Sequence, residues 1–261
     1  MALSGQIGTG TVEAGTGSVG THTGPPEADD AVEAVDAVDV VEAVGSDAGP
    51  VLARLRAAAP RAAGNADRPQ PRPDGLAAFH HAYVTVAEEH AAPAVPLRLR
   101  LAERYSAVLD AARRGHRPPA AWRPLFQFRR HPGVRPPQFA LAGLNAHIGY
   151  DLPLAVVDVC RARGCEPAAV EAEFDRVGDL LGALEERLRE DLVPSPELLQ
   201  VGDPLTHLLG AWHLERARDA AWSAARVLWG LRERPEAARE FTEHTDAGAG
   251  LVGHCLLTPW R

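Results

Sequence analysis

The chain contains no lysine, so all 27 of its basic residues are arginines. Without lysine there is no Schiff-base nucleophile, no Walker lysine to hold phosphates and no serine–lysine dyad. These absences exclude pyridoxal enzymes, P-loop enzymes and lactamase-like hydrolases. The GxSxG motif of many hydrolases and the HExxH motif of zinc proteases are missing too.

Paired cysteines and long apolar runs are also lacking. The three cysteines, Cys160, Cys165 and Cys255, show no CxxC spacing, and their odd number argues against a disulfide framework. We therefore expect reduced thiols. No apolar run approaches the roughly 18 residues of a membrane span, and the N-terminus resembles no signal segment. The sequence thus predicts a cytoplasmic protein with no membrane partner.

Charge is placed unevenly along the chain. Residues 1–50 carry nine acidic side chains and no arginine, so the remainder is close to neutral. Nucleic-acid binding normally requires a basic stripe, and we expect no nucleic-acid partner. Two GxGxxG triplets lack the preceding strand of a dinucleotide-binding loop, so we expect no nucleotide cofactor. They lie at Gly15, Gly17 and Gly20, and at Gly248, Gly250 and Gly253.

The chain divides into a leader and one folded domain. Residues 1–73 are rich in Gly, Ala, Pro and acidic side chains, and we expect this leader to be disordered. From Asp74 to residue 261, apolar residues recur at spacings of three and four, without the alternation of a strand. The sequence predicts an all-α, single-domain bundle of six or seven helices. These span about 75–91, 97–114, 122–128, 137–163, 167–192 and 204–234, with a last helix from 235 leading into an apolar tail at 251–257.

The predicted helix 137–163 is apolar nearly all round but contains Asn145, His147, Asp151 and Asp158. His147 and Asp151 are one turn apart, and Asp158 lies at nearly the same azimuth further along. Buried charges need partners, so this face must meet cations, a metal or a cleft. Pro153 removes the backbone donor to residue 149 and predicts a local break in the helix.

Three interpretations of His147 and Asp151 remain open. They could ligate a metal such as zinc, with further ligands from His80, His207 or His213. Asp151 could instead orient His147 as a general base or acid, with Asn145 holding a substrate oxygen. In the third interpretation, both residues only satisfy hydrogen bonds in a polar layer of the core.

Four further residues are candidates for contact with a small-molecule substrate. Arg218 lies in an apolar stripe of helix 204–234, so we expect it to pair with Asp151, Asp158 or Asp175 and to bind or neutralise an anion. Trp222, one turn on, is placed to wall the same pocket. On the first predicted helix, Tyr83 recurs with Phe79, and His80 or its neighbour His81 must point inward. The four substrate-binding candidates are Arg218, Trp222, Tyr83 and His80.

Five sequence blocks resemble a bacterial all-helical family, domain of unknown function 5995. They are DGLAAFHHAYVTV (74–86), LAERYSAVL (101–109), LAGLNAHIGYDLPLAV (141–156), EFDRVGDLL (173–181) and RARDAAW (216–222). The resemblance implies an all-helical fold, and it implies that Asn145, His147, Asp151, Asp175, Arg218 and Trp222 are characteristic positions. A fainter similarity, the His-x-x-x-Asp spacing, is to helical zinc-dependent phospholipases C and nucleases.

Two function hypotheses follow from these residues. The first is a small-molecule enzyme of specialised metabolism, with a pocket between helices 137–163 and 204–234 and with His147 and Asp151 at its centre. The second is a non-catalytic interaction module, in which the polar residues hold the core together and the acidic leader recruits a partner.

Overall fold

A computed structural model describes residues 49–58, 74–90, 95–192 and 212–259. In these ranges the chain is all-α and has no strand, as the sequence predicts. No helix within them is long and apolar enough to cross a membrane. The α-helices are α1 (Gly49–Ala57), α2 (Gly75–Glu89), α3 (Pro96–Arg113), α4 (Arg123–Phe128), α5 (Pro136–Ala146), α6 (Leu152–Arg163), α7 (Glu171–Leu192), α8 (Leu214–Gly230) and α9 (Pro235–Leu256).

The predicted helices agree with α2 to α9, with three differences. The single helix expected at 137–163 is α5 and α6 joined by a five-residue π-helical turn, His147–Asp151. The helix expected at 204–234 begins only at Leu214, because Trp212 and His213 are not helical. Residues nearer Asp203, and most of the predicted leader, lie outside the described residues. The last helix continues to Leu256 and takes in most of the apolar tail, of which Leu251 is 67% exposed.

Helix α1 is the element that the sequence analysis did not predict. The side chain of Leu55 in this helix is fully buried, and the helix packs against α2 and α3. Two polar contacts hold it in place: Arg56 pairs with Glu88 at 2.5 Å, and Arg113 donates to the carbonyl of Ala57 at 2.8 Å. Residues ahead of the proposed boundary at Asp74 thus contact the bundle, and the boundary itself stays a prediction.

The core is built where α5 lies between α2 and α9. Gly143 of α5 lets α2 approach closely, because a Cβ there would come within 2.4 Å of the Phe79 ring. On the other side, Gly250 of α9 packs against Ala120, where a Cβ would come within 2.5 Å of the carbonyl oxygen. Asp246 fixes this contact by accepting from the amides of Ala120 and Ala121, each at 2.8 Å. These contacts position the π-helical turn at the centre of the bundle.

Candidate functional site

The π-helical turn carries both central candidates, His147 and Asp151. The amide of Leu152 donates to the carbonyl of His147, five residues back, and Pro153 follows with no amide to continue the ordinary ladder. The break predicted at Pro153 is therefore present as a widened turn. Such π turns within α-helices occur frequently at functional sites.

His147 and Asp151 form a hydrogen-bonded dyad inside the core. His147 Nδ1 lies 3.2 Å from Asp151 Oδ2, and the two residues are 0% and 1% exposed. Trp122 Nε1 donates to the same carboxylate oxygen at 3.0 Å. Because the carboxylate can only accept, this pairing assigns the proton of the imidazole to Nδ1. Asp151 therefore sets both the orientation and the tautomer of His147.

The other imidazole nitrogen, Nε2 of His147, is buried and has no hydrogen-bond partner among the described residues. In the tautomer that Asp151 selects, this atom carries a lone pair and can accept a proton. Buried polar atoms are nearly always paired, and an unpaired one calls for an explanation. Nε2 of His80 is likewise buried and unpaired among the described residues, so the feature that sets His147 apart is the carboxylate on its other nitrogen.

Four aromatic rings enclose the His147 imidazole. Its ring centroid lies 4.9 Å from that of Tyr83, 5.9 Å from Tyr105, 6.1 Å from Trp122 and 6.3 Å from Phe79. All four contacts are edge-to-face, the arrangement that aromatic quadrupoles favour. Burial raises the pKa of the Tyr83 and Tyr105 phenols, with Asp151 adding to both shifts, so both stay protonated near neutral pH. The dyad thus lies in an apolar, water-poor enclosure.

His80 lies beside this enclosure and contacts Tyr105, one of its four rings. Its Nδ1 is 3.1 Å from the Tyr105 hydroxyl, and it is the inward-pointing member of the His80/His81 pair. Burial lowers the pKa of His80 to about 4. The imidazole is therefore neutral in the folded protein at pH 7, where it can share a hydrogen bond with the phenol.

The lowered pKa of His80 predicts a loss of stability in acid. An unfolded histidine titrates near 6.5, so protonation favours the unfolded chain as the pH falls from 6.5 to about 4. His80 should lower the free energy of unfolding by about 2 to 3 kcal/mol over that window and have no such effect above it. Urea unfolding of the native protein and of His80→Gln, each at pH 7.5 and 4.5, measures this. Equal acid sensitivity in both proteins would contradict the prediction.

Asn145 and Asp158 are directed away from the dyad. The Asn145 amide donates to the carbonyl of Ala249 at 2.8 Å and so ties α5 to α9. Asp158 accepts from Arg100 at 3.0 Å and from Arg104 at 2.5 Å, which joins α6 to α3. The shared polar face expected for His147, Asp151 and Asp158 therefore divides into a buried dyad and a half-buried ion pair nearer the surface.

Arg218 and Trp222 lie in a second cluster, between α8 and α7. Arg218 pairs with Asp175 at 3.5 Å, one of its three predicted partners, and its guanidinium lies 5.6 Å from the Phe174 centroid. Trp222 packs on Phe174 with centroids 4.8 Å apart. None of these contacts is with the dyad, so the expected pocket shared by His147 and Arg218 does not form from them. A substrate-binding role for the second cluster stays a prediction.

The described residues do not complete a metal site. No group of three His, Cys, Asp or Glu side chains converges anywhere in the ranges that the structure covers. His80 contacts Tyr105, His213 is exposed at the start of α8, and His207 lies outside the described residues. A zinc ion on His147 and Asp151 would need ligands from beyond these ranges, so the similarity to zinc phospholipases rests on the His-x-x-x-Asp spacing alone.

Two surface depressions in the described part of the chain are small, and His147 lines neither of them. One, of about 20 Å³, lies between α5 and α7; the other, of about 10 Å³, lies among α1, α2 and α3. Each has room for about one water molecule at most. Tyr83 lines the second depression, and its ring centroid lies 4.9 Å from that of His147.

Sequence reasoning identified the dyad but missed its surroundings. The first predicted helix places Tyr83 on the same face as Phe79, but nothing in the sequence indicates that these rings and Tyr105 meet at His147. Trp122 precedes a six-residue helix. Six residues are too few for the spacing of apolar side chains to show which face of the helix is buried. Its role as a donor to Asp151 left no signal in the sequence.

Comparison with known proteins gives a family and nothing narrower. A family model described as a family of unknown function, DUF5995, matches residues 49–259, which is most of the chain. No curated protein and no solved structure matches.

Proposed function

Since the chain belongs to the family of unknown function DUF5995, its activity has to be inferred from the site itself, and we propose that it is a small-molecule enzyme. His147 acts as the general base and acid, and Asp151 positions it. The observation that carries the proposal is the buried, unpartnered Nε2 of His147 next to an Nδ1 that is already held by a carboxylate. The proposed setting is cytoplasmic metabolism, as the sequence predicts.

The dyad has the parts that proton transfer needs. Nε2 accepts a proton from a substrate O–H, N–H or activated C–H group and later returns it to the product. The imidazole becomes a cation when it accepts, and the adjacent Asp151 carboxylate balances that charge. Trp122 keeps the carboxylate in place by donating to the oxygen that also contacts Nδ1. In a low-dielectric enclosure these charge interactions are stronger than in water.

A substrate must pass an aromatic ring to reach His147. The depression among α1, α2 and α3 is lined by apolar side chains and by Arg98, with Tyr83 at its base. Tyr83 lines this depression and has the ring centroid nearest to that of His147, so we propose that its rotation opens the route to the imidazole.

The proposal is tested by comparing the native protein with His147→Gln on a mixture of cellular metabolites, followed by mass spectrometry of substrates and products. Gln keeps a polar side chain of similar length but cannot take up a proton. We expect turnover to fall at least a hundredfold, at the lower end of what general acid–base catalysis contributes. Ile148→Val is the matched control, because it shortens a buried neighbour and leaves the dyad intact.

A second candidate function is favoured by one observation, the complete burial of the dyad. In this alternative the chain is an interaction module, and the dyad serves only to hold α5, α6 and the Trp122 segment together. It predicts that His147→Gln changes thermal stability alone. Absence of any metabolite conversion by the native protein would contradict the enzyme proposal and leave this alternative standing. Conversion at equal rates by the native protein and by His147→Gln would instead contradict the catalytic role of His147.

A further inference from the structure

Two cysteines lie at the C-terminal end of α6. Gly164 ends the helix with a φ of +60°, a left-handed conformation that glycine adopts without strain. The amide of Gly164 donates to the carbonyl of Arg161 at 3.3 Å, and the amide of Cys165 donates to that of Cys160 at 3.0 Å. This pair of hydrogen bonds is the Schellman motif, which returns the chain to the side of the residue five positions earlier.

The motif places the two cysteine side chains next to each other. Residues at these two positions of a Schellman motif commonly contact each other across the helix end. The pKa of the Cys160 thiol is raised to about 12, mainly by burial and next by the neighbouring Cys165. A disulfide joins residues whose Cα atoms are about 4.4 to 6.8 Å apart. The backbone hydrogen bond between Cys165 and Cys160 holds these two residues close together, as a disulfide requires.

We propose that Cys160 and Cys165 form an intramolecular disulfide when the protein meets a hydroperoxide, which makes this helix end an oxidation site. The bond would close a ring over Gly164 without changing the hydrogen bonds of the motif. This inference is independent of the activity proposed for His147.

The two thiols have different roles in the reaction. Cys165 is partly exposed, so its thiolate attacks a peroxide oxygen, the O–O bond breaks, and a sulfenic acid and hydroxide form. The hydroxide takes up the proton that the thiol released and becomes water. The Cys160 sulfur then attacks the sulfenic sulfur, and the S–O bond breaks. The leaving oxygen takes the Cys160 proton and departs as a second water, so two thiols are oxidised while one peroxide is reduced.

Burial explains why Cys160 is the second thiol to react. Cys160 is fully buried, so a dissolved oxidant does not reach its sulfur. The sulfenic acid on Cys165 is within reach of the Cys160 sulfur, whereas a dissolved oxidant is not. Cys255 is the contrasting case, because it is exposed on α9. It should be oxidised alone or linked to another molecule.

The experiment uses the full chain carrying Cys255→Ser, treated with hydrogen peroxide. Arg161 and Arg163 lie between the two cysteines, so trypsin places them on separate peptides. We expect a linked pair of peptides under non-reducing conditions, a monomeric protein, and a mass lower by two hydrogens. In Cys160→Ala we expect a sulfenic acid that persists on Cys165 and is captured by dimedone, and in Cys165→Ser we expect Cys160 to stay reduced.

Two outcomes would overturn the proposal, and neither requires the Cys160→Ala variant to fold. In the first, Cys160 stays available for alkylation after unfolding while Cys165 accumulates as sulfinic acid. In the second, the only disulfides formed join two chains. Both are read from the same peptide map of the Cys255→Ser protein.

Discussion

Replacing Asp151 by Ala is expected to destabilise the protein by about 3 to 5 kcal/mol, which is a large part of the stability of a typical domain. Asp151 is 1% exposed and accepts from Trp122 Nε1 and His147 Nδ1. Its removal leaves two buried donors without an acceptor, and each carries a desolvation penalty of about 1 to 3 kcal/mol. Equilibrium unfolding in urea at pH 7.5 measures the change.

Asp158→Ala is the matched control for this measurement. Asp158 is on the same stretch of helix and also accepts from two side chains, but its partners Arg100 and Arg104 keep contact with solvent. We expect a loss of roughly 1 kcal/mol for such a partly exposed pair. Asp151→Asn should fall between the two, because an amide oxygen in the place of Oδ2 can still accept from both donors but carries no negative charge. A loss under about 1 kcal/mol in Asp151→Ala would show that the buried dyad is not held as the structure has it.

Helix periodicity allowed the fold and the dyad to be predicted from sequence. Apolar side chains at spacings of three and four identify each long helix, because one face of every helix must be buried. The same geometry places His147 and Asp151 side by side from their spacing of four. Pro153 predicted the break in the helix, because proline has no amide to donate. These inferences are local, and the structure confirms them.

The partners of the dyad could not be predicted, because they depend on which helices face each other. Arg218 was expected to pair with Asp151, Asp158 or Asp175, and it pairs with Asp175 on α7 and with Glu215 on its own helix. Trp122 donates to Asp151 from a segment 29 residues earlier in the chain. A single sequence gives the inward face of a helix and not the neighbour that this face contacts. Helix α1 was missed for a related reason, since its nine residues are too few for a clear period.

The surroundings of His147 combine features of a core and of a catalytic site. Edge-to-face rings and complete burial are what a stable core requires. An imidazole with one nitrogen fixed and the other left unpaired is what proton transfer requires. Proteins commonly accept unsatisfied or strained groups where function demands them. The same enclosure that hides Nε2 from water is therefore compatible with catalysis if Tyr83 moves aside.

Phe79→Ala is expected to cost about 3 to 5 kcal/mol, the other large effect, because it removes a fully buried ring from the aromatic enclosure. Phe79 contacts Tyr83, Tyr105, Trp122 and His147. Its loss leaves a cavity beside the imidazole, and packing around the cavity relaxes only in part. Thermal or urea unfolding measures the loss, and the size of the effect tests whether α2 faces the π-helical turn.

A double-mutant cycle with Gly143 makes that test specific. In the native protein, Gly143→Ala brings a Cβ within 2.4 Å of the Phe79 ring, so we expect it to destabilise by about 1 to 3 kcal/mol. In Phe79→Ala the same change enters empty space, and alanine is favoured over glycine in a helix by about 1 kcal/mol. The effect of Gly143→Ala should therefore reverse sign between the two backgrounds. An equal cost in both would show that α5 does not approach α2 at this pair, and would remove the enclosure on which the role of His147 depends.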